Sequence, residues 1–383
     1  MLSKLVSLTL AAGAFALSAS ARTWTDTSGR SFEATLIRQE GQKVLLNVGG
    51  RQRSFQLTAL SASDRAFLQG GGKSSPSTPK RNTTPTTPKR LSSSNSSQIQ
   101  ANTGIRIERL RSEPENSRWV YGSPNFEFVC DEDLGFAAIK QFAWMFESVW
   151  QFCDRLPFDI PRLRAEQKVR MKTYLIKEYE DYVRQGGSPG ASGVYIPGQD
   201  VILIPFQSLD LDKRGGQKDA NNTLRHEVTH QLMTGQSQQA GWFIEGSAEY
   251  VSTVPFDKTR LLADRHLKAI TSYITDRGWS GRVGHNLGNT ISLTSLESFM
   301  QPSYRRFQGQ KNAYAHALIL FTYFAKLDGQ KDGANLAKYV AALQDGRPEA
   351  DARKHLLAGR SYAELEKNVT SAWNLHGLRL KFE

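Results

Sequence analysis

Apolar and polar positions change rhythm along this chain. Ser31-Phe32-Glu33-Ala34-Thr35-Leu36-Ile37 partly alternates, and two more short runs cover Lys43 to Val48 and Gln52 to Leu57. Gly41-Gln42 and Gly49-Gly50 separate them. The pattern predicts three short strands with tight turns, then a capped terminal turn at Leu60-Ser61-Ala62-Ser63-Asp64. From 70 to 104 apolar positions become sparse. Ser, Thr, Pro, Asn and Gly dominate there, and Thr-Pro-Lys-Arg occurs twice, at 78–81 and 87–90. So little apolar surface cannot offset ordering entropy, and a disordered, extended linker is expected.

Regular patterning returns from residue 105. Arg118 to Tyr121 and Asn125 to Cys130 read as strands split by Gly122-Ser123-Pro124. A helix is expected from about Leu134 to Phe152, with Phe136, Phe142, Trp144, Phe146 and Trp150 in the core. Val169 to Ile176 reads as a buried strand. Gly193 to Ile196 and Val201 to Ile204 read as a hairpin turning at Pro197-Gly198-Gln199. Beyond residue 218 the pattern is almost wholly helical. Strands followed by helices predict an α+β architecture. The domain boundaries read as 1–21, 22–69, 70–104 and 105–383.

The first of these segments changes the expected compartment. Lys4 precedes an apolar stretch from Leu5 to Leu17, and Ala19-Ser20-Ala21 offers an A-x-A cleavage site. This reads as a secretory signal peptide cut after Ala21, rather than an ordinary N-terminal helix. An exported chain meets oxidising surroundings, where Cys130 and Cys153 could bridge. They could equally be two small buried hydrophobes; the sequence leaves both open, and the unbridged reading is favoured. The 383 residues carry a net charge of +12, which falls to +11 without Lys4. Lys73, Lys80, Arg81, Lys89 and Arg90 lie in the linker stretch, so +6 remains for the folded parts. The basic balance is therefore partly a linker property, compatible with loose attraction to anionic envelope polymers. No nucleic-acid-binding signature is present, and no apolar run reaches the length of a membrane span.

The chemistry gathers in His226-Glu227-Val228-Thr229-His230, an H-E-x-x-H pattern within a helical stretch. Positions i and i+4 share a helix face, so two imidazoles can hold one metal ion, with Glu227 beside them as a base. A solvated, charged helix turn would carry the same letters. A catalytic zinc needs a third protein ligand. Glu245 offers one, fifteen residues after His230 and within Gly241-Trp242-Phe243-Ile244-Glu245-Gly246-Ser247-Ala248-Glu249-Tyr250. One helix ending near Gly235 and a second starting after a turn would bring Glu245 back. Glu249 lies one turn further on the same face, where it can accept the free N–H of a ligating histidine. Gly246 is expected to let these two helices approach closely. An amphipathic helix with two solvated glutamates is the competing reading, but Trp242, Phe243 and Ile244 imply burial, and buried carboxylates need partners.

H-E-x-x-H followed by W-F-x-E-G-x-A-E-Y resembles the gluzincin metallopeptidases, the group that includes thermolysin and the zinc aminopeptidases. The resemblance implies zinc on His226, His230 and Glu245, Glu227 as general base, and Glu249 supporting a ligand histidine. It also implies an edge strand that binds substrate backbone, for which Gly193, Val194 and Tyr195 are the candidates. Tyr314, in Tyr314-Ala315-His316-Ala317-Leu318-Ile319-Leu320, is similar to an oxyanion-stabilising tyrosine of zinc aminopeptidases. His316, His285 and Tyr250 are weaker candidates for that role. Metzincins would need glycine at 233 and histidine at 236, where this chain has Met233 and Gln236. No Gly-x-Met-Glu-Asn segment precedes the motif, and the gap to Glu245 is shorter than in thermolysin. The layout is most similar to uncharacterised secreted bacterial gluzincin-like domains.

In the smaller unit, Trp24-Thr25-Asp26, Gly29-Arg30-Ser31-Phe32 and Leu57-Thr58-Ala59-Leu60-Ser61 resemble SH3-like Sla-type homology modules of secreted bacterial proteins. That implies a small β-barrel with a binding or spacer role, suited to an envelope partner. The expectation is therefore a secreted or periplasmic zinc peptidase acting on a peptide or protein. The alternatives are a non-catalytic envelope-binding protein of the same fold and a zinc hydrolase of cell-wall amides. His266, His285, His355 and His376 have no metal-partner spacing and read as surface or core residues.

Overall fold

The computed structural model describes residues 21–27, 31–48, 51–61, 64–65, 68, 99–100, 104–160, 169–208, 220–233, 239–257, 260–276, 284–301, 304–329 and 333–383. The expected signal peptide, apart from Ala21, and the Thr-Pro-Lys-Arg repeats lie outside them. The chain forms two units, Met1–Thr84 and Pro85–Glu383. Among the described residues no helix is long and apolar enough to cross a membrane.

The first unit is an antiparallel sheet of four strands in chain order: β1 (Ala21–Thr25), β2 (Ser31–Glu40), β3 (Lys43–Val48) and β4 (Arg51–Gln56). The alternation in 31–37 finds its reason here. Ala34 on β2 packs with Trp24, Val44, Leu46, Leu57, Leu60 and Leu68 in a small core. The indole of Trp24 donates to Ala34 O at 3.0 Å, which ties β1 in. The expected turn at 60–64 is capped: Ser61 Oγ accepts from Asp64 N at 3.2 Å, and Asp64 in turn accepts from Thr25 N at 2.8 Å.

The second unit begins earlier than residue 105. Strand β5 (Ile99–Gln100), inside the stretch expected to be linker, pairs with residues 260 and 261. β6 (Glu108–Glu113), β7 (Arg118–Gly122) and β8 (Phe126–Cys130) follow, then α1 (Gly135–Cys153), β9 (Met171–Ile176), α2 (Tyr179–Arg184), and the hairpin of β10 (Val194–Ile196) and β11 (Val201–Pro205). They build a six-stranded mixed sheet ordered β10-β11-β9-β8-β7-β6, with β8, β9 and β11 parallel. Central strands buried on both sides read as unbroken apolar runs, as in Val201–Pro205. β10 lies at the sheet edge. The hairpin turn places Asp200 at φ 57°, a conformation that aspartate tolerates.

The later half is mostly helical: α3 (Ala220–Met233), α4 (Gly241–Ser252), a hairpin of β12 (Phe256–Asp257) and β13 (Arg260–Leu261), and α5 (His266–Thr275). Strand β14 (Thr290–Leu293), α6 (Leu296–Phe299), α7 (Tyr304–Gln308), α8 (Ala313–Thr322), α9 (Ala334–Gln344), α10 (Glu349–Leu357), α11 (Tyr362–Asn374) and β15 (Arg379–Phe382) complete it. The architecture is α+β. The late strands escaped the sequence reading because each is two to four residues long, too short for a period to register.

Three expectations need correction. Phe136 is about half exposed, with its ring edge-on to Tyr121 and beneath the Arg109 guanidinium; the first turn of α1 overhangs the sheet. Val169 is exposed, and its strand starts at Met171. Gly246 makes room for α8, not for α3: a Cβ there would lie 2.6 Å from Ala317 O. Both cysteines are free and buried. Burial pushes the Cys130 thiol up to about 12 and raises Cys153 as well.

Candidate metal centre

Helix α3 packs on the sheet through Leu224, Val228 and Leu232, all buried in the main core. That spacing of four leaves His226 and His230 off the packed face and Glu227 at its margin, all three half-buried. Helix α4 is buried along nearly its whole length. Its Gly241 admits α7, because a Cβ there would lie 2.8 Å from the Cβ of Phe307. Its Gly246 admits α8. These close approaches fix α4 so that Glu245 and Glu249 face α3.

The expected convergence of side chains is present. His226 Nε2 lies 3.2 Å from Glu245 Oε2, and His230 Nε2 lies 3.4 Å from the same oxygen. One ligand atom from each of His226, His230 and Glu245 falls within a 4.8 Å cluster. Two ligands bound to one zinc at about 2.0–2.2 Å in a tetrahedral array stand about 3.3 Å apart. Both imidazole–Glu245 pairs stand at that spacing. Glu249 Oε1 is 3.4 Å from His226 Nδ1, so the two glutamates face the two nitrogens of one imidazole.

Electrostatics follow from that crowding. Burial opposes charge on His226, but Glu245 and Glu249 outweigh it and hold the imidazole well above its ordinary value. Burial likewise opposes charge on Glu249, yet the neighbouring imidazoles of His226 and His285 bring it down to about 2. Glu245 is lowered in the same way, against its burial, by His226 and His230. A proton on the imidazole here does what a cation would do: it neutralises two carboxylates with little access to solvent.

Glu227 is held from the sheet. Its Oε2 accepts the backbone N–H of Tyr195, on edge strand β10, at 2.7 Å. The edge strand thus meets the motif through its main chain. Tyr195 OH donates to Asp200 Oδ1 across the hairpin at 3.0 Å. Val194 pairs with Leu203 in β11. Gly193 precedes the strand, tucked against Leu224 and Leu203.

The remaining candidates divide. Tyr314 stands at this site, beside Tyr304. Tyr304, which the sequence reading passed over, donates to Glu245 Oε1. Burial and then the Glu245 charge push the Tyr304 phenol up, keeping it protonated. Nothing in the order Ser303-Tyr304-Arg305 announces this, since the contact spans 59 residues. His285, read from sequence as surface or core, reaches Glu249 Oε2 at 3.7 Å and rests edge-on against Tyr273. His316 and Tyr250 belong to the core. His316 stacks on Phe299 with ring centroids 3.5 Å apart, and Tyr250 packs on His266 and Phe321. His266 also is a core residue, bonded to Tyr250 O at 2.8 Å.

The centre is therefore a row of polar groups, His285, Glu249, His226, Glu245, Tyr304 and Tyr314, with His230 and Glu227 at its flank. No protein-family model matches this chain, and no curated protein is similar enough to it to serve as a relative.

Proposed function

We propose that this chain is an exported zinc-dependent peptidase of gluzincin type, with His226, His230 and Glu245 holding the metal and Glu227 acting as general base. The observation that carries this reading is the approach of both imidazole Nε2 atoms to the same Glu245 oxygen, at 3.2 and 3.4 Å. A zinc ion held there would polarise a scissile carbonyl and acidify a water molecule. Glu227 takes the proton of that water as it adds to the carbonyl, then hands it to the departing amine. The products are one carboxylic acid and one amine. Glu249 fixes the tautomer and orientation of His226. Tyr195 N–H fixes the Glu227 carboxylate on the sheet side of the motif. The smaller unit, read as an SH3-like module, would tether the enzyme to an envelope partner and raise its local concentration.

The test is elemental analysis of the purified chain beside a peptide-library digest, with and without chelator. We expect one zinc per chain and chelator-sensitive cleavage. Glu227→Gln is expected to retain the metal and lose turnover by several orders of magnitude. Full activity in that variant, or no stoichiometric metal in the parent, would remove this reading. Cleavage of cell-wall amides in place of peptides would redirect the substrate and keep the residue roles.

A further inference from the structure

We infer that Tyr304, backed by Tyr314, is a positioning residue that keeps Glu245 a one-atom metal ligand. The inference rests on the metal-site reading above and extends it to residues outside the motif.

Glu245 has two carboxylate oxygens with separate tasks. Oε2 faces Nε2 of both histidines. Oε1 accepts the hydroxyl proton of Tyr304. A carboxylate whose second oxygen is engaged by a donor resists swinging round to bind an ion through both. The protein then supplies three ligand atoms, and a tetrahedral ion keeps its fourth position for a small molecule. Bidentate Glu245 would crowd that position.

A tyrosine hydroxyl has one proton, and an ionised carboxylate only accepts. Tyr304 spends that proton on Glu245 Oε1, and the Tyr314 side chain lies beside it.

The placement is also built into the packing. Tyr304 is 39% exposed, yet its hydroxyl reaches a carboxylate that is only 3% exposed. The hydroxyl contact ties this partly exposed ring to the buried carboxylate. Gly241 leaves the space, since a Cβ at that position would sit 3.3 Å from Tyr304 Cδ2 as well as against Phe307.

The experiment uses the full chain and four forms: the parent, Tyr304→Phe, Tyr314→Phe and the double variant. Zinc affinity is measured by competition with a chromophoric chelator, and the visible spectrum is recorded after cobalt(II) substitution. We expect Tyr304→Phe to lose roughly tenfold or more in affinity. Its cobalt bands should weaken as coordination rises above four. Tyr314→Phe should show a smaller loss, with no added loss in the Tyr304→Phe background, because it acts through Tyr304. Wild-type affinity and spectrum in Tyr304→Phe overturn the inference while leaving the metal site standing. A further loss from Tyr314→Phe in the double variant shows that Tyr314 acts apart from Tyr304 and overturns its supporting role. If Tyr304→Phe folds poorly, Tyr314→Phe alone decides, and an unchanged spectrum and affinity there count against the inference. A parent that binds no zinc, or binds it equally well after His226→Ala, removes the metal-site reading and this inference with it.

Discussion

The backbone N–H of Tyr195 donates to the carboxylate of Glu227 at 2.7 Å. Tyr195 pairs with Ile202 in β11, but its amide points away from that partner, off the sheet edge and toward helix α3. A main-chain group therefore holds the proposed base, and no side-chain substitution at 195 can remove it except proline. We expect Tyr195→Pro to lower turnover about tenfold or more relative to Tyr195→Ala, since a positioned charged hydrogen bond contributes about 1.5–3 kcal/mol. Proline is tolerated on an edge strand where the amide is outside the ladder. Zinc content should be equal in the two variants. Equal turnover would show that the amide does not position Glu227.

The metal-free protein should have a stability maximum in mildly acidic solution. Glu249 sits at about 2 in the folded chain against about 4.3 unfolded. Its contribution is complete above the unfolded value and lost as pH falls from there toward 2. His226 lies well above its ordinary value. Its contribution is complete below about 6.5 and lost as pH rises through the folded value. The two losses bracket a window of about pH 4.5–6.5, and the lowered Glu245 deepens the acid limb. Urea unfolding across pH in chelator would reveal the dome. Saturating zinc should flatten the alkaline limb, because the ion replaces the proton on His226.

His316 offers a prediction of opposite sign. Neither ring nitrogen has a hydrogen-bond partner, and burial depresses the imidazole to about 3. The unfolded chain takes up the proton at higher pH, so stability is lost as pH falls from about 6.5 toward 3. His316→Leu should be neutral or stabilising at pH 7, because no bonded partner is orphaned. It should also remove a loss of up to about 5 kcal/mol on the acid side. A variant destabilised by several kcal/mol at neutral pH would contradict this account.

Gly246→Ala tests the seat of α4 on α8. A Cβ would lie 2.6 Å from Ala317 O, so backbone must move against backbone. We expect a loss of about 1–3 kcal/mol in thermal or denaturant unfolding, despite the better helix propensity of alanine. Unchanged stability would mean that the two helices part at no cost.

The convergence of His226, His230 and Glu245 was legible because its signal is local. His226 and His230 are spaced by one turn, and Glu245 comes back on the next helix. The α+β order was readable for the same reason: apolar runs such as Val201–Ile204 and the helix at 134–152 carry their own period. Tyr304, His285 and the true neighbour of Gly246 were not legible, since each depends on how distant segments pack. Tyr304 meets Glu245 across 59 residues, and Gly246 meets Ala317 across a similar span. The composition of 70–104 also misled at its end. Ile99–Gln100 is too short to alter an average, yet it finds a partner in β13.

That partner has a practical side. The hairpin Phe256–Leu261 begins a few residues after the Glu245 helix, and Ile99–Gln100 forms its outer strand. Trimming the chain at residue 105 would strip this strand and leave β13 with unpaired amides and carbonyls, a sticky margin beside helix α1. A fragment started at Pro85 keeps the strand, and is the better choice for obtaining the larger unit by itself.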